Sequence, residues 1–492
     1  MENNKSNFNQ AIWLAISYTC SMLVGILSSV ILSRYFDKVQ YGTYKQIIYV
    51  YNTLVTVFYA GLPAVFTYFL PRYSKGEGKY IVRKLHNLLF ILGFCFSATL
   101  FLGSNFIASL LNNPELAVGL KIFSLFPLFT LPTAGVEGIY VVNKNTRFVA
   151  IYNVVTRLLM LACLVIPVVF IKNDYRYAVV GWGVASFIAF LIAIVAKNKV
   201  YQDVDYVKIQ NISKDILKYS LPIMGSSLVL MAFNSANQFF ISRYYGTVAF
   251  AEYSNGYMAL PFVPIFIAPV RSLLTPIFAK ASSEGKYDEA LGTLRSSTMQ
   301  IMTIMIPLIV LSFVCAKDIM VFLYSSAYER SFIYFRLMLV FNFCEMFVFS
   351  GVLSAIGKTK TCFIIDLICT VMLWVMDFLM IKTPFCSPYL IMAIFVAMNI
   401  MMKYVIRGVY LEKKEKMNIL DKPTIVHGTK IMLHTIIVGY VLSVFSDYCL
   451  QEIHIFWRLV ICTVCFYAVL LASMRVVKVN YLDAVLRFIK KK

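Results

Sequence analysis

The sequence predicts an all-α membrane protein with about fourteen transmembrane helices, and three observations support this fold class. Sixty per cent of the 492 residues are apolar and only 14% are charged. The mean hydropathy is +0.75. Apolar runs of about twenty residues, the length that crosses a bilayer as a helix, recur along the whole chain. A soluble globule must cover itself with polar groups, so it could not conceal this much apolar surface.

The predicted spans are expected to be continuous helices, because lipid offers no partner to an unpaired backbone group. The first run is too long for the apolar core of a signal peptide and lacks a small-residue cleavage site, so we expect it to remain as a span. The spans lie near 10–35, 41–70, 85–111, 118–141, 149–171, 177–197, 218–243, 250–279, 291–316, 330–356, 361–382, 387–410, 426–446 and 455–475.

Loop charges predict the orientation of the chain. The net charge of +21 is spread over short loops and forms no continuous basic patch, which argues against nucleic-acid binding. Alternate connections are rich in lysine and arginine, whereas Asn112–Glu115 and Asp447–Glu452 contain none. Since cytoplasmic loops are the basic ones, both termini are predicted to be cytoplasmic. The basic connections lie near 72–84, 144–147, 197–218, 280–286, 358–360, 413–422 and 478–492.

The chain repeats itself at an offset of about 210 residues. Ser33–Phe36 (SRYF) is echoed by Ser242–Tyr245 (SRYY), and Glu77–Tyr80 (EGKY) recurs as Glu284–Tyr287. The echoes are six spans apart, so two parallel six-helix bundles are expected, related by a pseudo-twofold axis along the membrane normal with a cleft between them.

This repeat predicts the domain organisation. Two helices and a basic tail should follow the repeated bundles. The tail is expected either to lie along the inner membrane surface as an amphipathic helix or to form a solvated charged end. The predicted segments are an N-terminal bundle at 1–210, a C-terminal bundle at 211–415, helices 13 and 14 at 416–476, and the basic amphipathic cytoplasmic tail at 477–492.

Six short motifs, taken in their order and spacing, give the chain a resemblance to a known family, and this resemblance covers essentially the whole chain. They are Leu32–Phe36, Tyr41–Tyr44, Ala60–Ala64, Leu70–Tyr73, Ser220–Ile223 and Asn234–Ile241. Together they resemble the polysaccharide-export branch of the MOP superfamily, the Wzx-type flippases for lipid-linked oligosaccharides. The resemblance implies a protein of the bacterial cytoplasmic (inner) membrane that carries an undecaprenyl-diphosphate-linked glycan from the inner to the outer leaflet by alternating access. It implies export of O-antigen, capsule or exopolysaccharide.

Candidate substrate-binding residues lie in helices 7 and 8. Arg271 sits between Pro269 and Pro276, in a span that prolines should bend beside a cavity, and a guanidinium matches a diphosphate. Snorkelling toward the cytoplasmic end is the structural alternative. Related flippases place arginines in helices 1, 2 and 8, and only Arg271 corresponds. Amides suit sugar hydroxyls but also lock helices together. Those on helix 7 are Asn234, Asn237 and Gln238, the last two where the family commonly has an acidic–basic pair.

Five further charges fall inside predicted spans, and intramembrane charges are costly. Pairing between helices is one interpretation, and the one we expect for Arg157 with a carboxylate. Coupling of transport to an ion is the other interpretation for the acids. The residues are Glu137, Arg157, Glu345, Asp366 and Asp377. Tyr18 and Tyr257 are candidates for stacking on sugar rings.

Other functions fit less well. The four histidines are dispersed and no Walker motif is present, so we expect a transporter without catalytic residues, metal or cofactor. A cation-coupled multidrug antiporter of the same superfamily is the main alternative, although it normally has twelve helices and an acid in helix 1. A membrane glycosyltransferase or polymerase usually needs a large outer loop, and every predicted outer loop is short. The expected partners are the lipid-linked glycan, membrane lipids and a glycan polymerase of the same pathway.

Overall fold

The computed structural model describes residues 2–258, 260 and 262–490, and every regular element in these ranges is a helix. Twelve helical segments among the described residues are long and apolar enough to cross a membrane, and two of them, Glu115–Val142 and Pro388–Lys413, are runs of shorter consecutive helices. The all-α fold class is confirmed, and the protein is a multi-pass membrane protein.

The expectation of continuous helices is wrong for some spans. The second span is a bent pair, Lys38–Tyr59 and Leu62–Arg72, with an angle of 47° between its parts. The tenth predicted span, 330–356, forms two shorter helices, Ser331–Cys344 and Phe349–Ala355. Protein groups must therefore satisfy the backbone at each interruption.

The chain divides into two compact units, Met1–Ala251 and Glu252–Lys492. The domain boundaries predicted from the repeat, at 210/211, 415/416 and 476/477, concern duplication and composition, and they stay predictions.

The N-terminal unit holds the first nine helices and most of a tenth. They are α1 Glu2–Tyr35, α2 Lys38–Tyr59, α3 Leu62–Phe69, α4 Lys75–Leu110, α5 Glu115–Phe123, α6 Leu125–Thr130, α7 Val136–Val142, α8 Thr146–Phe170, α9 Tyr175–Val200 and α10 Ile212–Gly256. The last of these is interrupted at Gly246, whose backbone is not helical, with φ of 79° and ψ of −177°. Short 3-10 turns occupy Leu70–Arg72 and Leu131–Thr133.

The C-terminal unit holds the remaining described helices. They are α11 Phe262–Glu284, α12 Asp288–Val314, α13 Ala316–Tyr324, α14 Ser331–Cys344, α15 Phe349–Ala355, α16 Thr359–Met380, α17 Pro388–Ile400, α18 Arg407–Lys413, α19 Lys422–Cys449, α20 Ile455–Val477 and α21 Tyr481–Lys490. A π-helical segment, Met401–Ile406, joins α17 to α18.

Polar side chains fix where several helices begin. The Asp37 carboxylate accepts hydrogen bonds from the backbone amides of Val39 and Gln40, both at 2.8 Å, and so caps α2. Asp421 caps α19 in the same way and accepts bonds from the Thr424 hydroxyl and backbone amide at 2.6 and 3.1 Å. These bonds hold the pKa of the Asp421 carboxyl below its usual range.

The second span breaks between α2 and α3, where Ala60 and Gly61 both adopt left-handed backbone, with φ of 47° and 71°. A Cβ at Gly61 would lie 2.7 Å from the carbonyl oxygen of Ser220 in α10. Only glycine permits both the conformation and this close approach. Pro63, at the start of α3, favours a new helix directly after the break.

The fourth span breaks at 131–135, where a 3-10 turn and a left-handed Gly135, with φ of 91°, separate α6 from α7. The side chain of Lys197, from α9, donates hydrogen bonds to the carbonyl oxygens of Pro132 and, at 3.1 Å, Ala134. Lys197 is only 5% exposed. Its ammonium group therefore satisfies carbonyls that the break leaves without helical partners.

The two half-helices beyond the breaks, α3 and α7, pack against each other. Val65 and Phe66 of α3 and Ile139 of α7 are fully buried in one apolar cluster. The Tyr140 hydroxyl donates a hydrogen bond to the Ala196 carbonyl of α9 at 3.0 Å. The interruptions are therefore held in fixed positions by core packing.

The basic tail forms the short helix α21. The Tyr481 hydroxyl lies 2.8 Å from Nδ1 of His434 in α19, and His434 Nε2 lies 2.8 Å from the Ser473 hydroxyl of α20. Leu482 and Leu486 are exposed on α21. The location of this helix on the inner membrane surface stays a prediction, and the side chains at 485 and 487–490 and all of 491–492 lie outside the described residues.

Replacing Lys197 with methionine should destabilise the protein, because the carbonyls of Pro132 and Ala134 would lose a charged donor in a buried site. We expect a loss of about 1–3 kcal/mol of unfolding free energy. Thermal unfolding in detergent, followed by circular dichroism, measures it. The matched control is Lys199→Met on the same helix, whose side chain is exposed. Equal unfolding temperatures for the two variants would contradict the capping role.

Candidate functional site: a polar cavity in the N-terminal unit

A cavity of about 760 Å³ lies inside the N-terminal unit. Its walls come from α1, α2 and α3 and from the five consecutive helices α5 to α9. This volume falls within the usual range for small-molecule sites. The polar and aromatic residues that line it include Tyr18, Tyr51, Asn52, Tyr59, Thr133, Glu137, Tyr152, Asn153, Thr156, Arg157 and Trp182.

The breaks in the second and fourth spans both border the cavity. Tyr59 and Pro63 line it on either side of the break in the second span, and Thr133, Ala134 and Gly135 line it at the break in the fourth. Irregular backbone at membrane depth is tolerated where protein or a wet cavity surrounds it. The glycine positions and the Lys197 cap therefore shape the wall of the cavity as well as the fold.

Arg157 is the cationic side chain among the residues that line this cavity. It lies near the middle of α8, about three turns from either end. In the part of the chain that the structure describes, its guanidinium makes no ion pair or hydrogen bond; its neighbours are the rings of Tyr51, Tyr59 and Tyr152. The expected pairing of Arg157 with a carboxylate is thus not found. An unpaired guanidinium within a span is costly unless an anion binds it.

Glu137 is the carboxylate of the same cavity, at the start of α7. The Tyr18 hydroxyl of α1 donates a hydrogen bond to it. Nearby, the Asn153 amide of α8 donates to the Ser17 hydroxyl at 2.9 Å. The structure thus joins two residues that the sequence analysis singled out separately, the acid Glu137 and the aromatic Tyr18.

A group of aromatic rings forms one wall of the cavity. The ring centroids of Tyr51 and Phe126, and of Phe126 and Trp182, are both 5.0 Å apart, with nearly perpendicular ring planes. The Trp182 indole donates a hydrogen bond to the Tyr44 hydroxyl at 3.0 Å. Rings fixed in this way combine an apolar face with a hydroxyl or indole edge, which suits a ligand that is partly apolar and partly polar.

The C-terminal unit pairs two of the four predicted ion-coupling acids. Arg407 forms an ion pair with Asp366, and Lys403 lies 3.4 Å from the carboxylate of Glu345. Lys403 belongs to the π-helical segment, and Arg407 directly follows it. A single π-helical turn in an α-helix redirects side chains and often marks a functional position. Here it aims both cations at acids on neighbouring segments.

Asp377, on α16, differs from the other acids. Its side chain is fully buried. Both of its carboxylate oxygens lack hydrogen-bond partners among the described residues. Buried polar atoms are almost always paired, so an unpaired carboxylate in a span is the exception that needs an explanation.

The four predicted substrate-binding residues are not among the described residues that line this cavity. Arg271 is an exposed side chain on α11. Asn234, Asn237 and Gln238 lie on α10; Asn237 is fully buried, and the Gln238 amide donates to the Asn234 carbonyl at 3.1 Å. Sequence reasoning missed Tyr51, Tyr59, Tyr152 and Trp182. The only sequence signal for two of them was the tyrosine-rich stretch ahead of Ala60.

Comparisons with known proteins place this geometry in a family. The family model described as polysaccharide biosynthesis protein matches residues 8–282. A second model, MatE, matches residues 222–379. No curated protein matches the sequence.

Solved structures share the fold at low sequence identity. The lipid II flippase MurJ in an inward closed conformation is 17% identical, with a TM-score of 0.70 over 94% of this chain and 99% of that chain. An inward-facing multidrug resistance MATE transporter of the MOP superfamily is 15% identical, with a TM-score of 0.58 over 83% and 96%. A MOP superfamily transporter from Pyrococcus furiosus is 14% identical, with a TM-score of 0.57 over 84% and 96%.

These structural likenesses show the fold, and the match over 8–282 spans more than half of the chain, including every wall of the cavity around Arg157. The chain therefore belongs to the polysaccharide biosynthesis protein family.

Proposed function

We propose that this protein is a flippase that carries an undecaprenyl-diphosphate-linked oligosaccharide from the inner to the outer leaflet by alternating access, for export of O-antigen, capsule or exopolysaccharide. Membership of a polysaccharide biosynthesis family and a fold shared with a lipid II flippase support it. The observation that carries the proposal is the unpaired Arg157 guanidinium inside a cavity of hydroxyls, amides and aromatic rings.

The physical task explains why such a cavity is useful. Each glycan hydroxyl costs roughly 2–7 kcal/mol to desolvate without a partner, and a diphosphate costs far more. Spontaneous crossing of the headgroup is therefore negligible. A polar cavity that replaces these hydrogen bonds lowers the barrier, and the polyprenyl tail can stay in lipid throughout.

The cavity residues divide this task by their chemistry. Arg157 would bind the phosphate oxygens, because a guanidinium offers two parallel N–H donors. Asn52 and Asn153 would donate to and accept from sugar hydroxyls, and the faces of Tyr51 and Trp182 would contact the apolar faces of sugar rings. Glu137 and Tyr18 would serve as an additional hydroxyl-binding pair.

Arg271 and the amides Asn234, Asn237 and Gln238 remain proposed substrate-binding residues. Arg271 stands exposed on α11, and its aliphatic part lies beside Gly351, where a Cβ would be 3.5 Å from its Cγ. Its position in a span with internal prolines Pro269 and Pro276 supports a functional cation.

We further propose a bacterial inner-membrane location with both termini in the cytoplasm, which the basic loops support. The protein acts as a transporter without a cofactor or a chemical step of its own. A glycan polymerase of the same pathway is the proposed protein partner.

A cation-coupled multidrug antiporter is the second candidate. The match to the MatE model over residues 222–379 favours it, and Asp377 lies in that segment. An unpaired buried acid is suited to binding a proton or a metal cation during transport. The same acid would equally couple a flippase to an ion gradient, which makes Asp377 the proposed coupling residue of the four acids.

Arg157→Ala should reduce glycan export about tenfold to a hundredfold, because one charged hydrogen-bonding group is worth about 1.5–3 kcal/mol. Arg157→Lys should recover part of the activity. The measurement is surface glycan in an export-deficient strain complemented at equal protein levels. Arg147→Ala on the same helix is the matched control, since Arg147 does not line the cavity. Wild-type export by Arg157→Ala would contradict the proposed role of Arg157 in binding the substrate.

Arg271→Ala should lower export in the same assay, also by about tenfold, if its guanidinium contacts the diphosphate. Arg271→Lys should be impaired as well, because lysine cannot bind phosphate in a bidentate manner. Lys280→Ala, an exposed cation later in α11, is the control. Wild-type export by both Arg271 variants would remove this residue from the mechanism.

Asp377→Asn should abolish stimulation of glycan transport by an imposed ion gradient while basal transport in proteoliposomes remains. The neutral amide fills the same buried space but cannot carry charge or release a proton. Proton and sodium gradients are applied separately, and Asp203→Asn, in the exposed loop after α9, serves as the control. If neither a proton gradient nor a sodium gradient changes the transport rate of the wild-type protein, Asp377 has no coupling role. Export of cationic drugs without glycan transport would favour the antiporter.

A further inference from the structure

A second polar pocket, of about 440 Å³, lies in the N-terminal unit and shares no lining residue with the cavity around Arg157. It is formed by the first turns of α4 and the last turns of α9, so it sits at one end of the helices, at the depth of lipid headgroups. Its charged lining residues are Lys79, Arg83 and Lys197, and His86 lies among them. No carboxylate is among the residues that the structure shows lining it.

The cations of this pocket lack acidic partners. The Arg83 guanidinium makes no hydrogen bond or ion pair with the described residues and only faces the Tyr206 ring, 6.0 Å from its centroid. Among the described residues, Lys79 donates to one acceptor, the Val204 carbonyl at 2.8 Å. Asp203 and Asp205, in the loop that follows α9, form no ion pair with the pocket. Most of the donors of Lys79 and Arg83 are therefore available to a ligand.

Neutral donors complete the pocket in a regular arrangement. Lys79, Arg83 and Asn87 follow one another at four-residue spacing and so share one face of α4. Asn198, in the last turn of α9, and Gln202, two residues beyond the end of that helix, also line the pocket. Donors from α4 and from the end of α9 thus line one space, together with the buried Lys197. This set of donors matches an anion with several oxygen acceptors, above all a phosphate group.

Apolar side chains continue directly from this pocket toward the interior of the membrane. On α4, Phe90 and Phe94 follow Asn87 by one and two turns and are 43% and 63% exposed. On α9, Leu191 and Val195 precede Asn198 by two turns and one turn and are also exposed. A ligand with a phosphate head and hydrocarbon chains would satisfy both parts of this surface, whereas a soluble anion would use only the first.

We propose that this pocket is a binding site for a phosphate group, supplied by the headgroup of an anionic membrane phospholipid whose acyl chains run along Phe90 and Phe94. Arg83 and Lys79 bind the phosphate oxygens, Asn87, Asn198 and Gln202 donate additional hydrogen bonds, and Lys197 raises the local positive potential. The site is separate from the proposed glycan cavity and does not depend on what that cavity transports.

Lipid retention by the purified full-length protein tests this site. The protein in neutral detergent is mixed with phosphatidylglycerol or phosphatidylcholine, and bound lipid is counted by native mass spectrometry. Inorganic phosphate and pyrophosphate, with thermal stability as readout, form the second arm. The variants are Arg83→Gln and the double variant Lys79→Gln/Arg83→Gln. Lys84→Gln is the matched control, because its ammonium faces the Tyr80 ring at 5.5 Å and does not line the pocket.

We expect wild-type protein to retain phosphatidylglycerol over phosphatidylcholine, and each pocket variant to lose about tenfold of that retention while Lys84→Gln keeps it. Stabilisation by soluble phosphate that disappears in the pocket variants would support the phosphate site and identify the free anion as its source. Equal retention of both lipids together with no effect of phosphate would overturn the proposal. So would an equal loss in the Lys84→Gln control.

Discussion

Lipid provides no hydrogen-bonding partner for the protein backbone, and this constraint governs how the N-terminal unit is built. Two of its spans are interrupted within the membrane, at Ala60–Gly61 and at 131–135, and each interruption exposes peptide groups that must be satisfied. Side chains and packing stabilise the interruptions. Lys197 donates to carbonyls at the second break, and α3 and α7 bury each other's apolar faces. Residues at both interruptions line the polar cavity.

The charged side chains inside the spans fall into two groups, those that form ion pairs and those that do not. In the C-terminal unit, Arg407 with Asp366 and Lys403 with Glu345 neutralise each other across neighbouring segments, and such pairs mainly hold helices together. Arg157 and Asp377 have no such partners among the described residues. An unpaired charge carries a standing cost in a membrane, so these two positions are the ones where a ligand or an ion would contribute most to stability.

The sequence predicted the helical class, the positions of the spans and the family, because apolar runs of bilayer length and short spaced motifs are local features. It could not show where helices break, since the left-handed Gly61 lies against the Ser220 carbonyl of α10 and the left-handed Gly135 lies against the Phe66 ring, and both are contacts between distant parts of the chain. The substrate residues chosen from sequence were polar groups in helices 7 and 8. The cavity residues Tyr51, Tyr152 and Trp182 were missed because composition does not distinguish an aromatic residue that lines a cavity from one that faces lipid. The prediction that Arg157 pairs with a carboxylate was wrong for a similar reason. An ion pair depends on which side chains are neighbours in three dimensions, and sequence order does not show this.

The position of Trp182 has a practical consequence. The chain contains only four tryptophans, and this one lies on the cavity wall with its indole nitrogen bound to Tyr44 and its ring against Phe126. Indole emission responds to the polarity and the quenching groups around the ring. The molecule therefore carries its own optical reporter at the place where cargo is proposed to sit, and occupancy can be followed on unlabelled protein in detergent or in vesicles.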